Sequence, residues 1–262
     1  MTSFALKLIA IISMLIDHIE KIFGFHFASL FFAENYSISV FLRCLNGVGR
    51  LTFPIMAFFI AEGCKKTANI NQYSLRLLLF AFLSEPVFDL AFDIYNSVYA
   101  LNIFTNYTLL SFTSQNVIFT LFFGCASIIV FRHLKTKKIL AYIAVIAIGV
   151  IAEYLKTEYG FLGVILIFTA YISKTKRSCF ISMSTILIAL YLFYFAWNNG
   201  LEWLKPNANL TYFIFPCIMA LASIVILQFY NGRRGFKCKY FFYFFYPLHL
   251  LLLVFIREVL FR

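Results

Sequence analysis

Charged residues are scarce in this sequence of 262 residues, where Asp, Glu, Lys and Arg together make up 13%. A soluble globular domain carries about a quarter of such residues, so this chain lacks the charge that a water-facing surface needs. The same composition excludes a disordered chain, a collagen-like repeat and a disulfide-rich secreted module. The six cysteines lie far apart with no Cys-x-x-Cys pair, and no P-loop, GxSxG, HExxH or EF-hand pattern occurs.

Hydrophobic residues dominate instead: they make up 63% of the chain, and the mean hydropathy is +0.88. A transmembrane helix needs about 20 mostly apolar residues to cross about 30 Å of hydrocarbon. The candidate spans are 4–24, 46–63, 74–94, 115–131, 139–155, 159–173, 180–197, 211–230 and 240–260. We therefore predict an all-α polytopic helix bundle of about nine spans, which forms a single domain over 1–262.

The distribution of basic residues predicts how the bundle is oriented, because cytoplasmic loops carry an excess of Lys and Arg. With nine spans, the N-terminal side receives 15 of the 22 basic residues. The opposite side receives seven: Lys21, Arg43, Arg50, Lys156, Lys205, Arg257 and Arg262. We predict a multi-pass protein of the inner membrane with a cytoplasmic N-terminus, segments 25–42 and 95–112 outside, and no nucleic-acid partner, since no basic stripe accompanies a soluble domain.

Ionisable residues inside a membrane are costly, at about 2.5–3.5 kcal/mol each on insertion scales, and each calls for a reason. The first span carries Lys7 near its inner end and Asp17 and His18 in its outer third. Lys7 and His18 are about three turns apart, so they share a helix face. Histidine suits proton transfer near neutral pH, and His18 is therefore a candidate general base.

Other polar residues in the spans form a predicted supporting cluster: Arg50, Glu62, Glu85, Asp89, Asn116, Tyr246 and His249. Plain structural roles stay open for several of them. Lys7 and Arg76 suit helix-end anchors, Arg50 suits an ion pair with Glu85 or Asp89, and His249 suits an interhelical hydrogen bond. The residues alone predict a polytopic membrane protein with a buried polar site, and they suggest group transfer across the bilayer.

Six segments, in order and spread over most of the chain, resemble the TraX family, which is associated with N-terminal acetylation of conjugative pilin: LKLIAIISMLIDHIEKIFG (6–24), GVGRLTFPIMAFFIAEGCKKT (47–67), YSLRLLLFAFLSEPVFDLAF (73–92), NVIFTLFFG (116–124), YGFLGVILI (159–167) and KYFFYFFYPLHLLLL (239–253). The third segment departs from the usual Ser-Glu-Ile-Pro-Phe-Asp-Leu, because Pro86 has moved one place while Glu85 and Asp89 are kept. Lys7 to His18 also matches the Arg/Lys-x10-His pattern of the broader membrane acyltransferase family 3.

The resemblance implies a membrane acyltransferase that moves an acetyl or other acyl group from cytosolic acyl-CoA to an amine or hydroxyl acceptor outside. His18 matches the essential histidine, with Asp17 beside it, and Lys7 and Arg76 would bind acetyl-CoA. Arg50 and Asn116 would orient groups or stabilise an oxyanion. The acceptor would be a pilin-like protein, a glycan or a small molecule.

Three other classes remain open at this point. They are a transporter or flippase, a non-catalytic membrane assembly protein, and a metal site built from Asp17, His18 and His249.

Overall fold

The computed structural model describes residues 1–30, 36–92, 114–199, 211–238 and 240–260. The helices are α1 (Ser3–Leu30), α2 (Tyr36–Gly49), α3 (Thr52–Lys66), α4 (Ile70–Phe92), α5 (Val117–His133), α6 (Lys138–Tyr154), α7 (Gly160–Ile172), α8 (Lys176–Asn199), α9 (Thr211–Gln228) and α10 (Phe241–Leu260). The all-α prediction is confirmed, since these residues form no strand and only one isolated bridge, between Gln115 and Thr157.

Three helical stretches are long and apolar enough to cross a membrane: Val40–Lys66, Lys176–Phe193 and Phe241–Leu260. A helix also covers most of the described part of each of the other predicted spans. That nine segments cross the bilayer, with the N-terminus inside, stays a prediction. Helix α1 continues past the predicted end of the first span, to Leu30, while segment 95–112 lies outside the described residues.

Polar side chains fix the starts of two helices. Asn116 caps α5, because its side-chain oxygen accepts a hydrogen bond from Ile118 N at 2.9 Å. Helix α7 begins where Tyr159 and Gly160 have positive φ angles of 68° and 40°. There the Glu153 carboxylate accepts a hydrogen bond from Phe161 N at 2.8 Å, which places a negative charge at the positive end of the helix dipole.

The chain divides into two compact units. The first unit comprises Met1–Phe59 and Ile172–Lys237, and the second comprises Ile60–Tyr171 and Cys238–Arg262. In the first unit, α1 runs antiparallel to α2 and α3. The Lys7 ammonium lies 5.1 Å from the centroid of the Phe59 ring, and further along α1 the Ser13 hydroxyl donates to Val48 O at 2.6 Å.

In the second unit, α4 packs against both α5 and α10. Helix α5 runs antiparallel to α4, because Asn116 at its start bonds to Ala81 O and Glu85, whereas Cys125 further along α5 lies beside Ser74 near the start of α4. Helix α10 runs parallel to α4. The Phe80 and Tyr243 rings lie 4.9 Å apart near the start of α10, and the Arg257 guanidinium near its end donates to Ala91 O at 3.3 Å.

Within each unit, helix ends that the nine-span prediction assigns to one side lie together. In the second unit, Lys65 at the end of α3 donates to Ala170 O of α7 at 3.1 Å, and Arg132 of α5 donates to Cys64 O at 2.6 Å. In the first unit, Lys176 at the start of α8 donates to Tyr230 O just beyond α9, at 2.9 Å. These contacts bring the ends of α3, α5 and α7 together and set the start of α8 beside the end of α9, while the nine-span topology stays a prediction.

Candidate functional site

His18 and Lys7 lie on one face of α1, as their spacing predicts. Eleven residues of helix separate them by about 16 Å at 1.5 Å per residue. His18 is 4% exposed, and Lys7 is half-buried against the Phe59 ring. Because a buried imidazole carries both a proton acceptor and a donor, this position suits a base that works away from bulk water.

The Asp17 carboxylate forms an ion pair with Lys21, one turn further along α1. Its Oδ2 lies 2.7 Å from the Lys21 ammonium and 3.9 Å from His18 Nε2, which is beyond hydrogen-bond range. Gly49 at the end of α2 packs directly on Asp17, since a Cβ added to Gly49 would lie 2.6 Å from the Asp17 Oδ1. Asp17 is thus fixed from two helices, and its charge is shared with Lys21.

A short chain of polar side chains joins α1 to α2 beside Asp17. Asn46 donates from Nδ2 to Glu20 Oε2 at 3.2 Å, and it accepts at Oδ1 from Arg50 at 3.0 Å. Sequence reasoning identified Arg50 but missed Glu20, Lys21 and Asn46. The signal was present, because Asp17–Lys21 and Asn46–Arg50 are both pairs of residues four apart, which face each other on a helix.

Two hydroxyl groups tie the middle of α1 to the turn between α2 and α3. The Ser13 hydroxyl donates to Val48 O, and the Thr52 hydroxyl donates to Ala10 O at 2.9 Å. Thr52 also lies 3.2 Å from Ser13. These bonds fix the register of α1 on α2 and α3, and with it the position of His18 one turn further along.

The second unit holds its own buried polar cluster, centred on Asn116. The backbone N–H of Asn116 donates to Glu85 Oε2 at 3.1 Å, and its side-chain amide donates to the same carboxylate and to Ala81 O. Both residues are almost fully buried, and so are Ser84 and Asp89 on α4. Since both amide hydrogens of Asn116 are engaged, this residue acts in supporting Glu85 and capping α5.

His249 lies between two aromatic side chains near the middle of α10, stacked on Phe245 and edge-on to Tyr246. The His249 ring lies parallel to Phe245, with centroids 4.7 Å apart, and its Nδ1 is 2.6 Å from Phe245 O. Tyr246 approaches the same ring edge-on, at 5.7 Å. This bond lies within α10, so it is not the interhelical hydrogen bond that the sequence analysis left open for His249.

Two predicted residues occupy more exposed positions in the second unit. Glu62 pairs with the exposed Lys66 one turn along α3, at 2.7 Å. Arg76 is half-buried and lies 6.0 Å from the centroid of the Tyr73 ring. Arg257, which sequence analysis treated only as an outer basic residue, is instead buried and donates to Leu90 O and Ala91 O at the end of α4.

The predicted residues thus fall into two groups. The first unit carries Lys7, Asp17, His18 and Arg50, and the second unit carries Glu62, Arg76, Glu85, Asp89, Asn116, Tyr246 and His249. Over the described residues, no three His, Cys, Asp or Glu side chains come together in a way that could hold a metal ion.

Comparisons with known proteins agree with the resemblance seen in the sequence. The family described as TraX protein matches residues 3–257. A protein of Dichelobacter nodosus, described as a probable fimbrial assembly protein FimC of serogroup H1, is 31% identical over 258 residues, which cover 96% of this chain and 94% of that protein. No solved structure matches the chain. With a family match over nearly its whole length, the chain belongs to the TraX family.

Proposed function

We propose that this protein is a membrane acyltransferase that transfers an acetyl group from acetyl-CoA, or another acyl group from its acyl-CoA, to an acceptor on the outer side of the inner membrane. The observation that carries the proposal is the buried His18 on the same face of α1 as Lys7. A neutral imidazole in a water-poor position is well suited to general-base catalysis.

In the proposed reaction, an acceptor amine attacks the thioester carbonyl carbon, forming a C–N bond while the C–S bond breaks. His18 takes the proton that the amine loses and gives it to the leaving sulfur, so that CoA departs as a thiol. An acceptor hydroxyl would react in the same way through its oxygen. Asp17, fixed by Lys21 and Gly49, would stabilise the imidazolium through space.

The fimbrial relative supports a pilin-like subunit as the acceptor. That protein is described as a probable fimbrial assembly protein, and the two chains are similar over nearly their whole lengths. The N-terminus of such a subunit carries an α-amine, which can act as the nucleophile. We propose this amine as the acceptor, ahead of a glycan or a small molecule.

The same relationship favours a second candidate, a membrane assembly protein that binds pilin-like subunits without chemistry. The experiment that separates the two is incubation of the purified protein with radiolabelled acetyl-CoA and a processed pilin-like subunit. Label on the subunit N-terminus supports the acyltransferase. Binding of the subunit without label, at acetyl-CoA concentrations up to the millimolar range, supports the assembly protein. Movement of unmodified substrate into liposomes without acyl-CoA would instead support a transporter.

A further inference from the structure

The segment after α9 presents an exposed cluster of positive charge. We call residues 231–237 the basic loop; it reads Asn-Gly-Arg-Arg-Gly-Phe-Lys. Arg233, Arg234 and Lys237 are all exposed, and no acidic side chain among the described residues forms an ion pair with any of them. Their charge is therefore uncompensated by the part of the protein that the structure describes.

The backbone of the basic loop is tied to the start of α1. Ser3 N donates to Arg233 O at 2.9 Å, and Phe4 N donates to Arg234 O at 3.1 Å. The Ser3 hydroxyl adds a third bond, to Arg234 O at 2.8 Å. The first N–H groups of a helix have no partner within it, so the loop carbonyls satisfy them. This attachment uses only the backbone of the two arginines and leaves their side chains available.

Two glycines give the basic loop its shape. Gly232 and Gly235 have φ angles of 78° and 74°, in the left-handed region that side chains disfavour. Gly235 also packs tightly, because a Cβ added there would lie 2.6 Å from the Thr2 hydroxyl oxygen. The Phe236 ring meets Phe4 edge-on, at 5.6 Å between centroids. The arginines are thus held on a well-anchored turn.

A further positive group lies at the base of the loop, where the Lys176 ammonium donates to Tyr230 O at 2.9 Å. Concentrated like charges repel one another, and an anion relieves that repulsion. Arginine side chains form planar, bidentate hydrogen bonds with phosphate oxygens, which makes a phosphate group the anion that suits two neighbouring arginines on an anchored backbone.

We propose that the basic loop is a phosphate-binding site, with Arg233 and Arg234 as its main ligands and Lys237 beside them. The phosphates that fit best are those at the nucleotide end of acyl-CoA, and in this form the inference rests on the proposed function. The topology prediction assigns the loop to the cytoplasm, where acyl-CoA is present. The phosphate headgroup of an anionic lipid offers the same chemistry.

The test uses the full-length protein in lipid nanodiscs, with the double variant Arg233→Gln, Arg234→Gln. The matched control is Lys137→Gln, Lys138→Gln, which removes the same charge from exposed positions at the start of α6. CoA affinity is measured by calorimetry in phosphatidylcholine nanodiscs. We expect the arginine variant to lose about tenfold or more in affinity, because hydrogen bonds between charged groups are strong. The control should lose less than about threefold, the part due to long-range charge alone.

The lipid source is tested by thermal unfolding in nanodiscs with and without phosphatidylglycerol. Unchanged CoA affinity, with loss of stabilisation by phosphatidylglycerol in the arginine variant only, assigns the site to the lipid headgroup. An arginine variant that matches the control with both ligands overturns the proposal, even if the wild type binds CoA. If the wild type binds no CoA at all, the proposed acyltransferase function fails. The lipid measurement alone then shows whether the basic loop binds phosphate.

Discussion

Asp17 pairs with Lys21 one helical turn along α1, with 2.7 Å between the carboxylate and the ammonium, while His18 Nε2 lies 3.9 Å from the same carboxylate. The carboxylate therefore acts on His18 through its charge and not through a direct hydrogen bond. Two opposite unit charges about 4 Å apart attract each other by about 1 kcal/mol in bulk water and by about 4 kcal/mol near a protein surface. Asp17 is thus a positioning and electrostatic residue in the proposed reaction.

Replacing this charge should slow acyl transfer without abolishing it. We expect Asp17→Asn to reduce kcat by about tenfold, since about 1.4 kcal/mol corresponds to a factor of ten in rate. The measurement is transfer from radiolabelled acetyl-CoA at saturating substrate. Lys21→Met serves as the partner variant, because it leaves the Asp17 charge in place. A loss in Asp17→Asn as large as that in His18→Ala would show that Asp17 takes a direct part in the chemistry.

The close packing of Gly49 on Asp17 predicts a cost for any side chain at this position. Gly49→Ala would place a methyl group 2.6 Å from the Asp17 Oδ1. We expect a loss of about 1–3 kcal/mol in the free energy of unfolding, typical of overpacking, and lower activity. Gly24→Ala is the control, because the nearest atom there is the end of the flexible Glu20 side chain, at 3.3 Å. Equal stability of the two variants in detergent would contradict this packing.

Asn116 should be needed for stability because it serves α4 and α5 at once. Asn116→Ala removes the helix cap and the donors to Glu85 and Ala81, and caps alone are worth about 0.5–2 kcal/mol. Asn116→Asp keeps an oxygen for the cap but sets a second carboxylate beside Glu85, so it should be at least as destabilising. Thermal unfolding measures both. An Asn116→Asp protein as stable as the wild type would argue against the contact with Glu85.

The helices were predictable from the sequence because a long apolar segment in a membrane must satisfy its backbone hydrogen bonds internally, which a helix does. The spacing of Lys7 and His18 likewise predicted that they share a helix face. Helix ends were less predictable. Helix α1 extends to Leu30, and the break between α2 and α3 falls at Arg50 and Leu51, inside a predicted span. Hydropathy averaged over a whole span does not report such breaks, although Gly49 just before this turn and Pro54 just after it are residues typical of helix ends and starts.

The partners of the polar residues were harder to predict than the residues themselves. Arg50, just beyond the end of α2, bonds to Asn46 of α2, and Glu62 bonds to Lys66 on its own helix. Both are local pairs of residues four apart. The sequence analysis instead assigned Arg50 and Glu62 to a cluster of residues that are distant in sequence. The contacts of Asn116 with Glu85 and Ala81 could not be read from the sequence, because they depend on how α4 and α5 are aligned.

The predicted topology is tested by labelling single cysteines from each side of the membrane. In a cysteine-free background, Lys137→Cys should react with an impermeant maleimide only in inverted vesicles, and Lys156→Cys should react only in intact spheroplasts. These residues flank α6, so the pair decides the direction of one helix. Reaction of the Lys137→Cys protein from outside would overturn the orientation that the basic residues predict.

The most direct test of the account is acyl transfer by His18→Ala, compared with His133→Ala. His133 is an exposed histidine at the end of α5, whose Nδ1 contacts Ile129 O in its own helix, so it controls for loss of an imidazole elsewhere in the chain. General-base catalysis contributes about 10²–10⁴-fold. We therefore expect His18→Ala to lose turnover by that factor while CoA affinity and thermal stability stay close to wild type, and His133→Ala to keep its activity. A well-folded His18→Ala protein that transfers acyl groups at the wild-type rate would contradict the proposed mechanism.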